Sequence, residues 1–369
     1  MNLYILIFLL IIATIPFFQS KKSKSIIIPV IIFILSVIVG VRYNVGTDYT
    51  TYVDIYNSSS PITLSSIETY QKEPLFWLLM AILKTLGSES PVFFFTTISL
   101  ITSYNIYRTI LNFKMELSIL SILLYFCLFW LNHQTNTVRH GIMVSYVWLA
   151  FSYITVGNRK AFFKYIIIGG LFHSLGFIFL PFIFFLNRTL NKKLLFILLT
   201  ISIVSVVRPF AIPLLSWLVE LFLFPGAGKI IYYVNDYYWE EDVRMALRIS
   251  SGMLLNLSIA ILLYKNRRGL SVKILYFNIL FNCLIISSVV AFVFSTVGIL
   301  VERVSGSLNV CLIFLIPIII KEYAYNKKIK ILYYIVALVY CFLILRANYN
   351  KVNRDGIYQF LPYKTVFYK

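Results

Sequence analysis

The chain has 369 residues, 60% of them hydrophobic and 17% aromatic, with a formal net charge of +19 and a mean hydropathy of +0.85. Soluble domains are roughly half apolar and a membrane β-barrel alternates in short segments, so both are excluded in favour of a polytopic α-helical membrane protein. The positive charge does not mark a nucleic-acid binder, because the lysines and arginines fall mostly in short loops between apolar runs, the pattern set by membrane insertion.

In chain order, residues 3–18 read as a retained first helix rather than a signal peptide, since the charges Lys21, Lys22 and Lys24 follow the apolar run instead of preceding it. With basic loops placed inside, residues 26–41 run outward and 42–90 form an outer segment. Within that segment residues 73–86 read as a helix too short to cross, lying on or dipping into the outer surface. Residues 91–111 return inward, 117–131 run outward, and the polar stretch 132–140 lies outside. The next helix ends at 144–156, with Arg159, Lys160 and Lys164 inside.

Residues 165–186 have two readings. They are long enough for one span, yet basic residues flank both ends. A hairpin broken at Gly169-Gly170, His173 or Gly176 satisfies both flanks, and broken helices are tolerated where they line a cavity. The alternative is a full span with an extra crossing at 211–224. Beyond it, 194–207 rises to a long outer loop, 208–248, rich in aromatic and acidic residues from Tyr232 to Asp242. Runs 249–264, 274–290, 304–320 and 331–345 complete roughly ten transmembrane helices. The expected architecture is therefore all-α, a polytopic integral membrane protein with a single transmembrane domain over 1–369 and outer loops at about 42–90 and 208–248. Of the 14 acids, only Glu116 and Glu322 fall inside. That one-sidedness places the polar chemistry on the outer face.

Asp48, after Gly46-Thr47, reads either as a general base or as a turn or cap aspartate. Glu73-Pro74 reads as a catalytic carboxylate or as a helix start. Arg42 at a helix end reads as an interface anchor or a ligand for anions. Asn136 and Arg139 are three apart, hence on one helix face, and arginine on the outer side suits phosphate. His173 with Ser174 sits inside an apolar run, as a packing residue or a lining one. Glu302-Arg303 reads as an internal pair or a late basic contact. The four cysteines lie in apolar runs as packing residues. No metal-ligand spacing and no nucleotide fingerprint is present, so no metal and no cofactor is expected.

The ordered set Arg42, Gly46-Thr47-Asp48-Tyr49, Tyr52, Glu73-Pro74, Asn136 to Arg139, His173-Ser174, Glu302-Arg303 and the closing Leu361-Pro362-Tyr363-Lys364-Thr365-Val366 resembles the EpsG family of Wzy-type polymerases of O antigen, capsule and exopolysaccharide. The resemblance covers essentially the whole chain. His140 departs from it, standing where the family pattern usually has glutamine. It implies a glycosyltransferase of the bacterial inner (cytoplasmic) membrane. Such an enzyme moves oligosaccharide from undecaprenyl pyrophosphate onto a second lipid-linked repeat unit at the periplasmic face, with a chain-length regulator as a further partner and no nucleic acid. On that reading Asp48, His173 and Glu73 are the catalytic candidates, and Arg42, Tyr49, Asn136, Arg139 and Arg303 contact the substrate. The competing functions are a lipid-dependent transferase or ligase acting once, and a polysaccharide or lipid transporter.

Overall fold

The computed structural model describes residues 2–17, 21–62, 73–87, 89–207, 250–295, 298–352 and 356–367. Sixteen α-helices occupy them: α1 (Leu3–Phe17), α2 (Lys21–Val41), α3 (Tyr49–Ser58), α4 (Pro74–Thr85), α5 (Pro91–Asn112), α6 (Ser118–Tyr125), α7 (Val138–Ile154), α8 (Arg159–Phe172), α9 (Lys192–Val207), α10 (Ser251–Lys265), α11 (Arg267–Lys273), α12 (Phe277–Val293), α13 (Gly298–Leu300), α14 (Gly306–Asn309), α15 (Leu312–Tyr323) and α16 (Lys327–Tyr349). Two π-helices, Phe126–Asn136 and Val301–Ser305, and one 3₁₀ helix, Ser174–Phe184, join them. The fold is all-α, and the described residues form isolated bridges but no strand. Contacts divide the chain into two compact units, 1–183 with 313–369, and 184–312.

In the first unit α5 and α7 are tied by two hydrogen bonds seven residues apart on each helix. Asn105 Nδ2 donates to Ser145 Oγ at 3.1 Å and Asn112 Nδ2 to Ser152 Oγ at 2.8 Å. Equal steps in the same direction mean that α5 and α7 run parallel. The end of α2 meets the start of α5, where a Cβ on Gly40 would strike Thr96 Oγ1 and come within 3.0 Å of the Val92 carbonyl. The bundle therefore has one end carrying residue 42 and the start of α7, and another carrying Asn112, Ser152 and the Glu116–Lys321 pair (2.7 Å).

The chain breaks at His173, which is extended (φ −155°, ψ 119°) between α8 and the 3₁₀ helix. Ring contacts show where the second arm goes. Phe162, near the start of α8, packs on Phe151 of α7 (6.5 Å), and so do Phe179 (6.1 Å) and Phe182 (5.7 Å) from beyond the break. The second arm thus returns to the level at which α8 began. Glycines allow this closeness: a Cβ on Gly176 would lie 2.7 Å from the Gly170 backbone nitrogen.

The roughly ten spans are not established by helix length. Among the described residues one helix, α16 with 23 residues, is long and apolar enough to cross alone, and the pair 298–309 with 312–323 makes a second candidate if read as one bent span. Several apolar helices have 10–17 residues. Those fall short in length, whereas α5, long enough at 22 residues, carries Ser99, Thr102, Ser103 and Asn105 as buried polar residues, which lowers its hydropathy. Only 17% of the apolar window of α16 is buried, the opposite of a soluble core helix and the expected state of a lipid-facing one.

Candidate functional site

Three layers of polar residues gather at the Arg42 end of the first unit. The deepest is Arg42, fully buried. Its Nη1 donates to the Val39 carbonyl at 2.7 Å, Nε to Val45 at 3.2 Å and Nη2 to Thr135 at 3.3 Å, and its Cζ lies 3.9 Å from the centroid of Phe95. Desolvation pushes the guanidinium down to about 10, against the pull of neighbouring tyrosines beginning with Tyr49. Tyr49 itself is buried, stacked on Phe95 at 5.5 Å. The Arg42 fork is thus spent on backbone carbonyls, which fixes the loop that follows.

That loop is clamped from two directions. Gly46 has φ +94°, and a Cβ there would lie 2.4 Å from the Thr135 carbonyl oxygen, so both conformation and space require glycine. The C-terminal segment supplies the other side. Tyr43 N donates to Lys364 O (2.9 Å), Gly46 N to Gln359 O (2.8 Å) and Val366 N to Val41 O (2.9 Å). Tyr4 Oη donates to Phe360 O at 3.1 Å, and Tyr363 Oη to Ile38 O.

The middle layer is the Thr47–Asp48–Asn136 cluster. Asp48 N donates to Asn136 Oδ1 at 3.2 Å, Thr47 Oγ1 also bonds Asn136 Oδ1, and Thr47 Oγ1 donates to Asp48 Oδ1 at 3.2 Å. Asp48 occupies the position before α3 without a side-chain capping bond, so capping does not account for its carboxylate. Asn136 closes the π-helix, whose wider turn carries His133 and Asn136 to this end.

The outermost layer joins Glu73, Arg139 and His173 from three separate elements. Arg139 Nη1 donates to Glu73 Oε2 at 2.7 Å. Glu73 Oε1 lies 3.9 Å from His173 Nδ1, beyond hydrogen-bond range. Nδ1 instead accepts from Leu175 N at 3.3 Å, which puts the ring proton of the neutral imidazole on Nε2. Glu73 is left-handed (φ 57°, ψ 56°) and makes no side-chain cap to α4. A non-glycine residue in that region costs about 1–3 kcal/mol and persists where its surroundings over-determine it. Here the strain turns the carboxylate away from its helix and towards Arg139. The side chains of Arg139, His173 and Glu73 are 38%, 25% and 13% exposed, so the cluster is reachable.

Two aromatic neighbours were not singled out as site residues by sequence reasoning. Arg139 Cζ lies 5.5 Å from the centroid of Phe76 and 5.8 Å from that of Tyr52. Phe76 follows Glu73 by three residues, and that interval was the available signal. Burial raises the Tyr52 hydroxyl above its ordinary pKa, with Arg139 pulling it back. Arg303 belongs to the second unit, on the π-helix Val301–Ser305, where its carbonyl accepts from Ser307 Oγ. The aromatic-acidic stretch from Tyr232 to Asp242 lies outside the described residues. Among the described residues no group of three metal-ligating side chains occurs.

A helical membrane protein with a preassembled arginine–carboxylate–histidine cluster at one end of its bundle is the class that fold and site define. The chain belongs to the EpsG family, whose model matches residues 25–365, nearly its whole length; this is a family of Wzy-type polymerases. No curated protein and no solved structure matches it. Membership points to a membrane polysaccharide polymerase, glycosyltransferase-like in broad terms, with lipid-linked sugars as substrates.

Proposed function

We propose that this chain lengthens polysaccharide by transferring an undecaprenyl-pyrophosphate-linked oligosaccharide onto a lipid-linked repeat unit at the periplasmic face of the inner membrane. The observation that carries the reading is the Glu73–Arg139–His173 cluster. Arg139 offers the bidentate fork that a leaving pyrophosphate needs. An arriving pyrophosphate competes with Glu73 Oε2 for that fork, which frees the carboxylate beside His173. The freed Glu73 carboxylate, with His173 beside it, then takes the proton of the acceptor hydroxyl. Asp48 and Asn136 form the polar rim that orients acceptor hydroxyls, and the buried rings of Phe76 and Tyr52 hold the Arg139 guanidinium in place. Arg42 and Tyr49 act one step back, by holding the rim in place. The break at His173 fits a re-entrant hairpin whose tip carries the histidine.

The test uses purified protein in vesicles supplied with lipid-linked repeat units. Wild-type protein is expected to give a ladder of lengthened chains. Arg139→Lys keeps charge without the fork and should fall far below it, and Glu73→Gln should lose about 10²–10⁴ in rate. Normal-length polymer from Arg139→Ala at normal abundance would place pyrophosphate recognition elsewhere. Transfer of lipid-linked sugar between leaflets without lengthening would replace this reading with the transporter.

A further inference from the structure

The second unit, 184–312, contains a feature that the Glu73–Arg139–His173 cluster does not include. A cavity of about 620 Å³ is lined by Lys192, Lys193, Arg267 and Arg268 together with Asn278 and Asn282. No carboxylate is among its described lining residues. An apolar groove of about 270 Å³ lies between α9, α10 and α12. Both lie on the same helix faces. On α12 the lining steps from Asn278 and Asn282 in the cavity to Ile285, Ser288 and Phe292 in the groove. On α9 it steps from Lys192 to Leu195, Leu199, Ser202 and Val206. Steps of three and four are one stripe of a helix, so the basic cavity and the apolar groove are consecutive stretches of one channel wall.

Membrane insertion explains why basic residues collect here. It does not explain a basic cavity continued by an apolar groove, nor the state of Asn282. That side chain is fully buried. Its Nδ2 donates to the Leu186 and Arg188 carbonyls at 2.7 and 2.8 Å, which fixes its amide orientation. Its Oδ1 has no hydrogen-bond partner among the described residues. The cavity wall therefore offers cations for a phosphate and an acceptor that lacks a donor, and the groove offers room for hydrocarbon. Small residues on the groove side, Ser202, Ala260 and Ser288, are what keep it open.

We propose that the second unit binds one anionic glycerophospholipid with a hydroxyl-bearing headgroup. Its phosphate lies among Lys192, Lys193, Arg267 and Arg268, a headgroup hydroxyl donates towards Asn282, and an acyl chain fills the groove. Basic pockets between membrane helices recognise such headgroups by this charge complementarity. The site is a lipid site independent of the transfer reaction, and its test reads binding, so it stands or falls apart from the polymerase reading.

The experiment is native mass spectrometry of the full chain in a neutral detergent, titrated with dioleoyl phosphatidylglycerol. One retained lipid per chain is expected, with dioleoyl phosphatidylcholine and tail-less glycerol 3-phosphate each retained far less. Lys192→Gln/Lys193→Gln/Arg268→Gln should weaken retention on the order of a hundredfold, at about 1 kcal/mol per cation. Ser288→Phe, which fills the groove, should weaken it as well. If that variant fails to fold, the charge variant alone decides. Equal retention of phosphatidylcholine, or undiminished retention by the charge variant, would overturn the proposal. Tighter retention of farnesyl pyrophosphate than of phosphatidylglycerol would overturn it too, by assigning the channel to a polyprenyl carrier.

Discussion

At the scale of single residues, the two arginines of the Arg42 end have opposite surroundings. Arg42 donates to three carbonyls, has no exposed surface and stacks on Phe95. Arg139 is partly exposed and spends one nitrogen on a carboxylate. Arg42→Lys removes at least two charged hydrogen bonds, each worth about 1.5–3 kcal/mol. Its expected effect is a lowered unfolding midpoint and less protein in the membrane. Arg139→Lys should leave both unchanged and lower transfer per molecule. Thermal unfolding in detergent, compared with polymer formed per unit of protein, separates the two. An unaltered midpoint for Arg42→Lys would return Arg42 to the list of ligand contacts. Sequence spacing could not separate them, because each arginine stands at a helix end beside polar residues, and the difference is whether nearby carbonyls are left without amide partners. Glu73 and Asp48 pose the same problem. Both occupy positions that suit a cap, and only the backbone angles and the missing cap bonds show that neither carboxylate is used so.

At the scale of elements, the closing segment 356–367 acts as a clasp on the loop after α2. Its motif was visible in the sequence, but its partner was not, since more than 300 residues separate Tyr43 from Lys364. Deleting residues from 356 onward should release that loop while leaving the helices formed. The amides of Tyr43 and Gly46, which donate to Lys364 and Gln359, should then exchange hydrogen much faster than in the full chain. Unchanged exchange at both amides would mean the loop is held without the clasp. The hairpin tells a similar story of partial legibility. Gly169, Gly170, His173 and Gly176 marked the break in sequence, but the return of the second arm to Phe151 depends on ring packing that no periodicity encodes. The helix α3 (Tyr49–Ser58) went unforeseen, because its three buried tyrosines give a weaker apolar stripe than leucine or isoleucine would.

At the scale of the whole molecule, surface chemistry is the strongest statement the chain makes about its environment. Ile331, Leu332, Ile335, Val336, Val339 and Leu343 are all about half exposed on α16, a surface stable against lipid tails and not against water. At 1.5 Å per residue, its 23 residues span about 34 Å, enough for a hydrocarbon core of roughly 30 Å. Within the first unit, the clasp that follows α16 pairs with the Arg42 loop, so the end of α16 and the start of α3 share one end of the bundle. Lys321 on Glu116 places the start of α16 near the opposite end. We propose the direction from basic-loop parity, with the Arg42 end outside. The four described cysteines are buried, which gives a quiet background for labelling. Single cysteines at Thr50 and Lys351 should react with an impermeant maleimide in cells whose outer barrier alone is opened. Cysteines at Lys160 and at Tyr325, the latter 82% exposed, should react only once the inner membrane is permeabilised. Labelling of Thr50 and Tyr325 from the same side would mean that α16 does not cross. Thr50 labelled only from within would invert the orientation, put the Glu73–Arg139–His173 cluster in the cytoplasm, and remove the periplasmic acceptor from the proposed reaction.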